Sequence, residues 1–142
     1  MYLWGIVGTG KTHILRSIKT AFGSMALYIS AGDFEQKMHE RRQNDTLGNF
    51  YQVFVSAPIL LLDDLGMEYG GELLKTGIEK IIDLRYERWR DKPTIVASNK
   101  SPLGFEKYLS RAADRVMDKE RSTTLYISGD KSFRELAIEE RK

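Results

Sequence analysis

Gly5-Ile6-Val7-Gly8-Thr9-Gly10-Lys11-Thr12 is the stretch on which the fold turns. It matches the pattern G-x-x-x-x-G-K-[S/T] at every position. Glycines let a backbone wrap closely around a polyphosphate with its N–H groups pointing inward, and a following helix adds its positive end. Lys11 can reach the terminal phosphates and the Thr12 hydroxyl can ligate Mg²⁺. The flanks suit this use. An apolar run, Tyr2–Val7, precedes the loop, and Ile14, Leu15, Ile18, Ala21 and Phe22 recur behind it at helical spacing as far as a stop at Gly23.

Further on, Ala26–Ser30, Ile59–Leu62, Thr94–Ser98 and Thr124–Ser128 read as strands, nearly continuous in Ile, Leu, Val and Tyr, as strands buried on both faces are. Between them lie helical patterns. Asp33 is a plausible N-cap for a polar helix to about Gln43. Leu73, Leu74, Ile78, Ile81 and Ile82 form the inner face of a longer helix ending near Trp89, closed by Lys92-Pro93. A third covers roughly Leu103 to Lys119. Strands alternating with helices predict α/β architecture with a mainly parallel sheet.

Ile59-Leu60-Leu61-Leu62-Asp63-Asp64 ends an aliphatic strand in two carboxylates. In a parallel sheet the carboxyl end of a strand faces the ligand crevice, so both acids belong beside the phosphate loop. Asp63 suits the Mg²⁺ shell through water, and Asp64 is placed to orient an attacking water. Asn99 closes another buried strand and suits a contact with the γ-phosphate or that water; its plainer use is a turn residue before Lys100-Ser101-Pro102. Arg111 and Asp114 are spaced for a helical pair, whereas phosphoryl transfer often draws an arginine from a neighbouring subunit; the residues alone leave both uses open for Arg111, Arg115 and Arg134. His13 and His39 have no second ligand at metal spacing. Arg85-Tyr86-Glu87-Arg88-Trp89-Arg90 mixes basic and aromatic residues and could touch single-stranded DNA, or pack its rings inward with its arginines in solvent.

The whole chain has 142 residues, 22 Lys plus Arg against 20 Asp plus Glu, 42% hydrophobic residues and no cysteine. That excludes a disulfide scaffold, cysteine-ligated zinc and a cysteine nucleophile, and fits a cytoplasmic protein. The longest aliphatic run, Ile59–Leu62, is too short to cross a bilayer, so no membrane partner is expected. The small net charge of +2 gives no general case for nucleic-acid binding.

Taken together, Leu3-Trp4-Gly5 through His13, Leu60-Leu61-Leu62-Asp63-Asp64-Leu65-Gly66, Arg85-Tyr86, Pro93–Asn99, Arg111-Ala112-Ala113-Asp114-Arg115 and Gly129–Arg134 resemble the AAA+ ATPases of the DnaC/DnaI helicase-loader and IstB-like group. The resemblance implies a three-layer P-loop fold with a five-stranded parallel sheet of order 5-1-4-3-2 over residues 1–134, and a charged tail at 135–142. It implies ATP and Mg²⁺ as cofactors, held by Gly5, Gly8, Thr9, Gly10, Lys11, Thr12 and His13, with Thr12 and Asp63 at the metal. Asp64, Asn99, Arg115 and Arg134 become the catalytic set: water activation, sensor 1, an arginine finger acting on the adjacent subunit, and a sensor 2-like contact. Most such enzymes carry Glu where this chain has Asp64. The implied partners are further copies of the chain in a ring or spiral, single-stranded DNA, and a replicative helicase or, for IstB-like proteins, a transposase. Family proteins also carry some tens of residues before the phosphate-loop strand, with adenine contacts, and loaders add a helicase-binding domain. The expectation is therefore a piece of a longer protein, or a minimal phage-type or mobile-element one, with weak nucleotide affinity. Two other readings are a nucleotide-gated binding module without turnover and a small P-loop kinase.

Overall fold

The computed structural model describes residues 1–66 and 71–129. Five strands form one parallel sheet: β1 (Tyr2–Trp4), β2 (Ala26–Ser30), β3 (Ile59–Leu65), β4 (Thr94–Ser98) and β5 (Thr124–Tyr126). Their order across the sheet is β2-β3-β4-β1-β5, the expected 5-1-4-3-2 read from the other edge.

Among the described residues six α-helices join the strands: α1 (Lys11–Phe22), α2 (Ala31–Gln43), α3 (Leu47–Ser56), α4 (Glu72–Tyr86), α5 (Pro102–Tyr108) and α6 (Ser110–Val116). β1 to β4 are largely buried on both faces, whereas the edge strand β5 is exposed. Leu3, Leu61 and Ala97 pack with Leu15 of α1 on one side. Tyr2, Ile29, Leu60, Leu62 and Val96 turn the other way, onto Phe34, Phe54, Ile78, Ile81 and Phe105 from the remaining helices. These apolar runs look continuous in sequence because alternate residues enter different cores.

Several elements differ from the sequence expectation. β1 ends at Trp4, because the chain then leaves the sheet for the phosphate loop, and β3 continues through both aspartates to Leu65. β5 ends at Tyr126. The cap of α2 is Ser30, whose hydroxyl accepts from the Asp33 N–H at 3.2 Å, so Asp33 lies inside the first turn. Helix α3 stands where no element was expected, burying Phe50 and Phe54. α4 ends at Tyr86, three residues short of Trp89. The single helix expected over 103–119 is broken at Leu109, whose φ of −138° is not helical.

One side chain ties these layers together. Arg85, on the inner face of α4, is 1% exposed. Its guanidinium donates to the carbonyls of Phe54 (2.8 Å), Val55 (3.2 Å) and Ala57 (2.7 Å), of Lys92 (3.1 Å) and Pro93 (2.9 Å), and to the Thr94 hydroxyl (2.8 Å). Burial, then the charge of Arg88, pushes its pKa down to about 10. This overturns any reading of Arg85 as a solvated or DNA-facing residue of the 85–90 stretch. Arg85→Met should lower the unfolding free energy in urea titration by roughly 3 kcal/mol or more, since it orphans several buried acceptors. A loss below about 1 kcal/mol would show that those acceptors find other partners.

Candidate functional site

At the carboxyl edge of the sheet, β1, β3 and β4 end side by side, because Trp4 is in register with Ser98 and Leu62 with Val96. That register gathers the loop at 5–12, Asp63 with Asp64, and Asn99. The expected neighbours are brought together.

The loop is shaped by close backbone approach. A Cβ on Gly5 would lie 2.4 Å from the Ile127 carbonyl oxygen, so β5 can approach the loop only past a glycine. Gly8 and Gly10 have φ of +84° and +94°, values that side chains strain to reach. Thr9 is buried and its hydroxyl donates to the Ile6 carbonyl at 3.0 Å. Gly10 precedes α1 in the left-handed conformation without side-chain capping, so the first N–H groups of that helix, those of Lys11, Thr12 and His13, have no acceptor within the helix. The Thr12 side chain is half-buried and His13 is exposed.

Lys11 is buried, and its ammonium donates to the carbonyls of Gly5 (2.8 Å) and Ile6 (2.7 Å). Burial lowers its pKa, while the nearby charges of Asp64 and Asp63 act to raise it. The lysine thus lies between the loop and both carboxylates, folded on the backbone it would leave to meet phosphate oxygens.

Asp63 is buried with both oxygens engaged: Oδ1 accepts the Asp64 N–H at 3.0 Å and Oδ2 accepts the Tyr28 hydroxyl at 2.7 Å. Burial and that hydrogen bond push the Tyr28 phenol up to about 12. Asp64 has φ of +56°, uncommon for a residue with a Cβ, and the β3–β4 register shifts between Leu62 and Leu65. The irregularity turns Asp64 out of the strand alternation. The Ser98 hydroxyl bridges the far side by donating to the Leu65 carbonyl at 2.5 Å. Asn99 follows directly, half-buried.

Sequence reasoning passed over Tyr28 and Ser98. Tyr28 pairs with Leu61 across the sheet, two residues before Asp63, within diagonal reach for a long side chain. A lone tyrosine in an aliphatic strand was the available signal.

Arg115 is not part of this edge. After β4 the chain returns through α5 and α6 to begin β5 at Thr124, level with Tyr2 at the start of β1. Arg115 lines one pocket with Pro93 and Thr94, and so sits by the amino end of β4, whose five residues span about 16 Å. It donates from Nε to Asp83 at 3.3 Å, and Arg111 donates to the same carboxylate at 2.9 Å, in place of the expected helical pair with Asp114. Arg134 and the tail at 135–142 lie outside the described residues.

A family model decides the classification: the model of the bacterial DnaA ATPase domain matches residues 1–121. The chain belongs to that family. It is 31% identical over 118 residues to the chromosomal replication initiator protein DnaA of Aquifex aeolicus, covering 81% of this chain and 29% of that protein. It is 28% identical over 107 residues to the replicative helicase loader DnaI of Bacillus subtilis, covering 72% of this chain and 33% of the loader. Among solved structures, AMPPCP-bound DnaA from Aquifex aeolicus superposes with a TM-score of 0.76 at 30% identity, over 99% of this chain and 44% of that one. A DnaA bound to AMPPCP and single-stranded DNA gives 0.73 at 29% identity, over 99% and 44%. The DnaC helicase loader gives 0.68 at 26% identity, over 90% and 77%. The expected loader likeness holds at the level of a loader-like AAA+ core, but no IstB-like protein stands among these relatives, and the family model that matches, over residues 1–121, is that of the DnaA domain. This DnaA-family chain spans about a third or less of the curated relatives' length.

In a DnaA-type core the Tyr28 hydroxyl is then a support for an acidic residue at the nucleotide edge. Tyr28→Phe should lower the unfolding free energy in urea titration by roughly 1.5 to 3 kcal/mol, the loss of one hydrogen bond to a charged group. An unchanged unfolding midpoint would show that Asp63 is held without it.

Proposed function

We propose that this chain is the ATP-binding and ATP-hydrolysing core of a replication-initiation protein, acting as initiators and helicase loaders do, in assemblies of several copies. The observation that carries the reading is the division of its charged groups between two edges of one sheet. The loop, Asp63, Asp64 and Asn99 share the carboxyl edge, whereas Arg115 stands at the other. A cation at that distance serves a nucleotide only in a second copy.

The residues fit the group they would hold. Lys11 exchanges its two loop carbonyls for phosphate oxygens, and the N–H groups at the start of α1 face the polyphosphate. Mg²⁺ would be held by Thr12, by Asp63 through water, and by the nucleotide itself. When bound, that ion neutralises charge on the β- and γ-phosphates. Asp64 orients water and takes its proton as the water oxygen attacks the γ-phosphorus. The bond to the bridging oxygen breaks, leaving ADP and phosphate. Asn99 positions the same water or the γ-phosphate, and Arg115 of an adjacent copy stabilises charge in the transition state.

The partner class follows from the relatives: one structural neighbour is a DnaA with single-stranded DNA, and DnaI and DnaC are helicase loaders. Single-stranded DNA and a replicative helicase are therefore the proposed partners. Arg134 is kept as a second cation for the γ-phosphate on its motif alone.

Lys11→Ala and Arg115→Ala should each reduce ATP turnover by about a hundredfold or more. An equimolar mixture should recover to about a quarter of the wild-type rate, since about one interface in four then pairs an intact site with an intact arginine. Phosphate release measured on each sample checks this, and a mixture no better than its components would remove Arg115 from the trans site.

A further inference from the structure

The seat of Arg115 is built from side chains that no part of the hydrolytic site uses. Asp83 and Tyr86 are three residues apart on α4, and Arg111 and Arg115 four apart on α6, so each pair presents one face of its helix. Where the faces meet, Asp83 takes Arg115 Nε on one oxygen and Arg111 Nη2 on the other. The Arg115 guanidinium also lies over the Tyr86 ring, 4.7 Å from its centroid. Both contacts use the inner side of the group. Among the described residues the only hydrogen bond of Arg115 leaves from Nε, and neither η nitrogen is engaged.

Tyr86 is itself fixed. Its hydroxyl donates to Asp118, which raises the tyrosine pKa and lowers that of the carboxylate. Asp118 also accepts the Glu120 N–H at 2.8 Å, and its carbonyl takes the N–H groups of Arg121 (3.2 Å) and Ser122 (2.7 Å). The turn entering β5 therefore holds Tyr86, and Tyr86 with Asp83 holds Arg115. Arg121 places a second guanidinium 4.6 Å from the same ring.

Such half-exposed contacts contribute little to folding. Their consequence is local. They remove rotamer freedom from a long side chain before any ligand arrives, a cost that would otherwise fall on the binding step. A guanidinium held by Nε and by one flat side offers its two η nitrogens as a ready fork for phosphate oxygens.

We propose that Asp83 and Tyr86 are positioning residues for Arg115, presenting its η nitrogens to the terminal phosphate of a nucleotide bound by a second copy of the chain. This rests on the trans role of Arg115 given above. Neither residue touches the nucleotide, and each acts through the arginine.

Complementation separates the role from a general defect. Tyr86→Leu alone should lose about tenfold in kcat with the half-saturating ATP concentration unchanged, as misplacement of a reacting group does. Mixed with Lys11→Ala, whose arginine seat is intact, it should recover turnover. Mixed with Arg115→Ala it should not, because no copy then supplies a seated arginine. Asp83→Asn, an isosteric change on a partly exposed residue, should repeat the pattern with a smaller loss, and Tyr86→Phe, which keeps the ring, should fall between Tyr86→Leu and wild type. Wild-type turnover in both Tyr86→Leu and Asp83→Asn, with Arg115→Ala still impaired, would overturn the positioning role alone. Equal recovery of Tyr86→Leu with either partner would also overturn it. Full turnover in Arg115→Ala would overturn the trans reading and the positioning role together.

Discussion

The buried guanidinium of Arg85 is the interaction on which the rest of the molecule depends. Its six acceptors are neutral oxygens, drawn from the end of α3, the residue two before β3, and the first residues of β4 and their approach. A buried cation without a carboxylate is costly unless its donors are satisfied, and here all three of its nitrogens find acceptors. The arrangement fixes the amino ends of β3 and β4 relative to one another. Because strands are stiff, it also sets where their carboxyl ends deliver Asp63, Asp64 and Asn99.

The same residue shows what the sequence could and could not tell. Ile78, Ile81, Ile82 and Arg85 recur at i, i+3, i+4 and i+7, so the periodicity places Arg85 on the buried face of α4. Charge argued for solvent, and periodicity was the better guide. Four strands were legible because buried parallel strands are nearly pure aliphatic runs, exposed β5 from its Thr-Leu-Tyr-Ile run, and the phosphate loop because its glycines have no cheap substitute. Strand order came from the family resemblance, since no local pattern encodes it. Helix α3 escaped notice for want of a signal at its start: Thr46 makes no side-chain cap there. The break at Leu109 has neither glycine nor proline to announce it.

At the candidate site the motif residues were legible as chemistry but their supports were not. Asp63 is easily read as a metal-side carboxylate, yet its orientation depends on Tyr28 from a strand thirty-odd residues earlier. Asp64 is easily read as a base, yet its backbone lies at φ +56° beside a shifted register. A strained non-glycine residue at the end of a buried strand persists only where its surroundings over-determine it, and here β4 does so through the Ser98 bridge. Motifs record which groups react. The hydrogen bonds that aim them come from distant elements and leave no spacing to read.

The two edges of the sheet then carry different kinds of order. At the carboxyl edge Lys11 is bonded to its own loop, so the site must exchange internal partners for phosphate oxygens before it can hold a nucleotide. At the amino edge Arg115 is already seated by Asp83 and Tyr86, and among the described residues its η nitrogens make no hydrogen bond. On the proposed reading one edge would rearrange on binding and the other is preorganised, so a nucleotide that reshapes the first would meet a second copy whose contribution is already in place. Coupling assembly to nucleotide then requires no large motion within the chain. On that reading it requires only that the seated cation and the filled loop be brought to opposite sides of one interface.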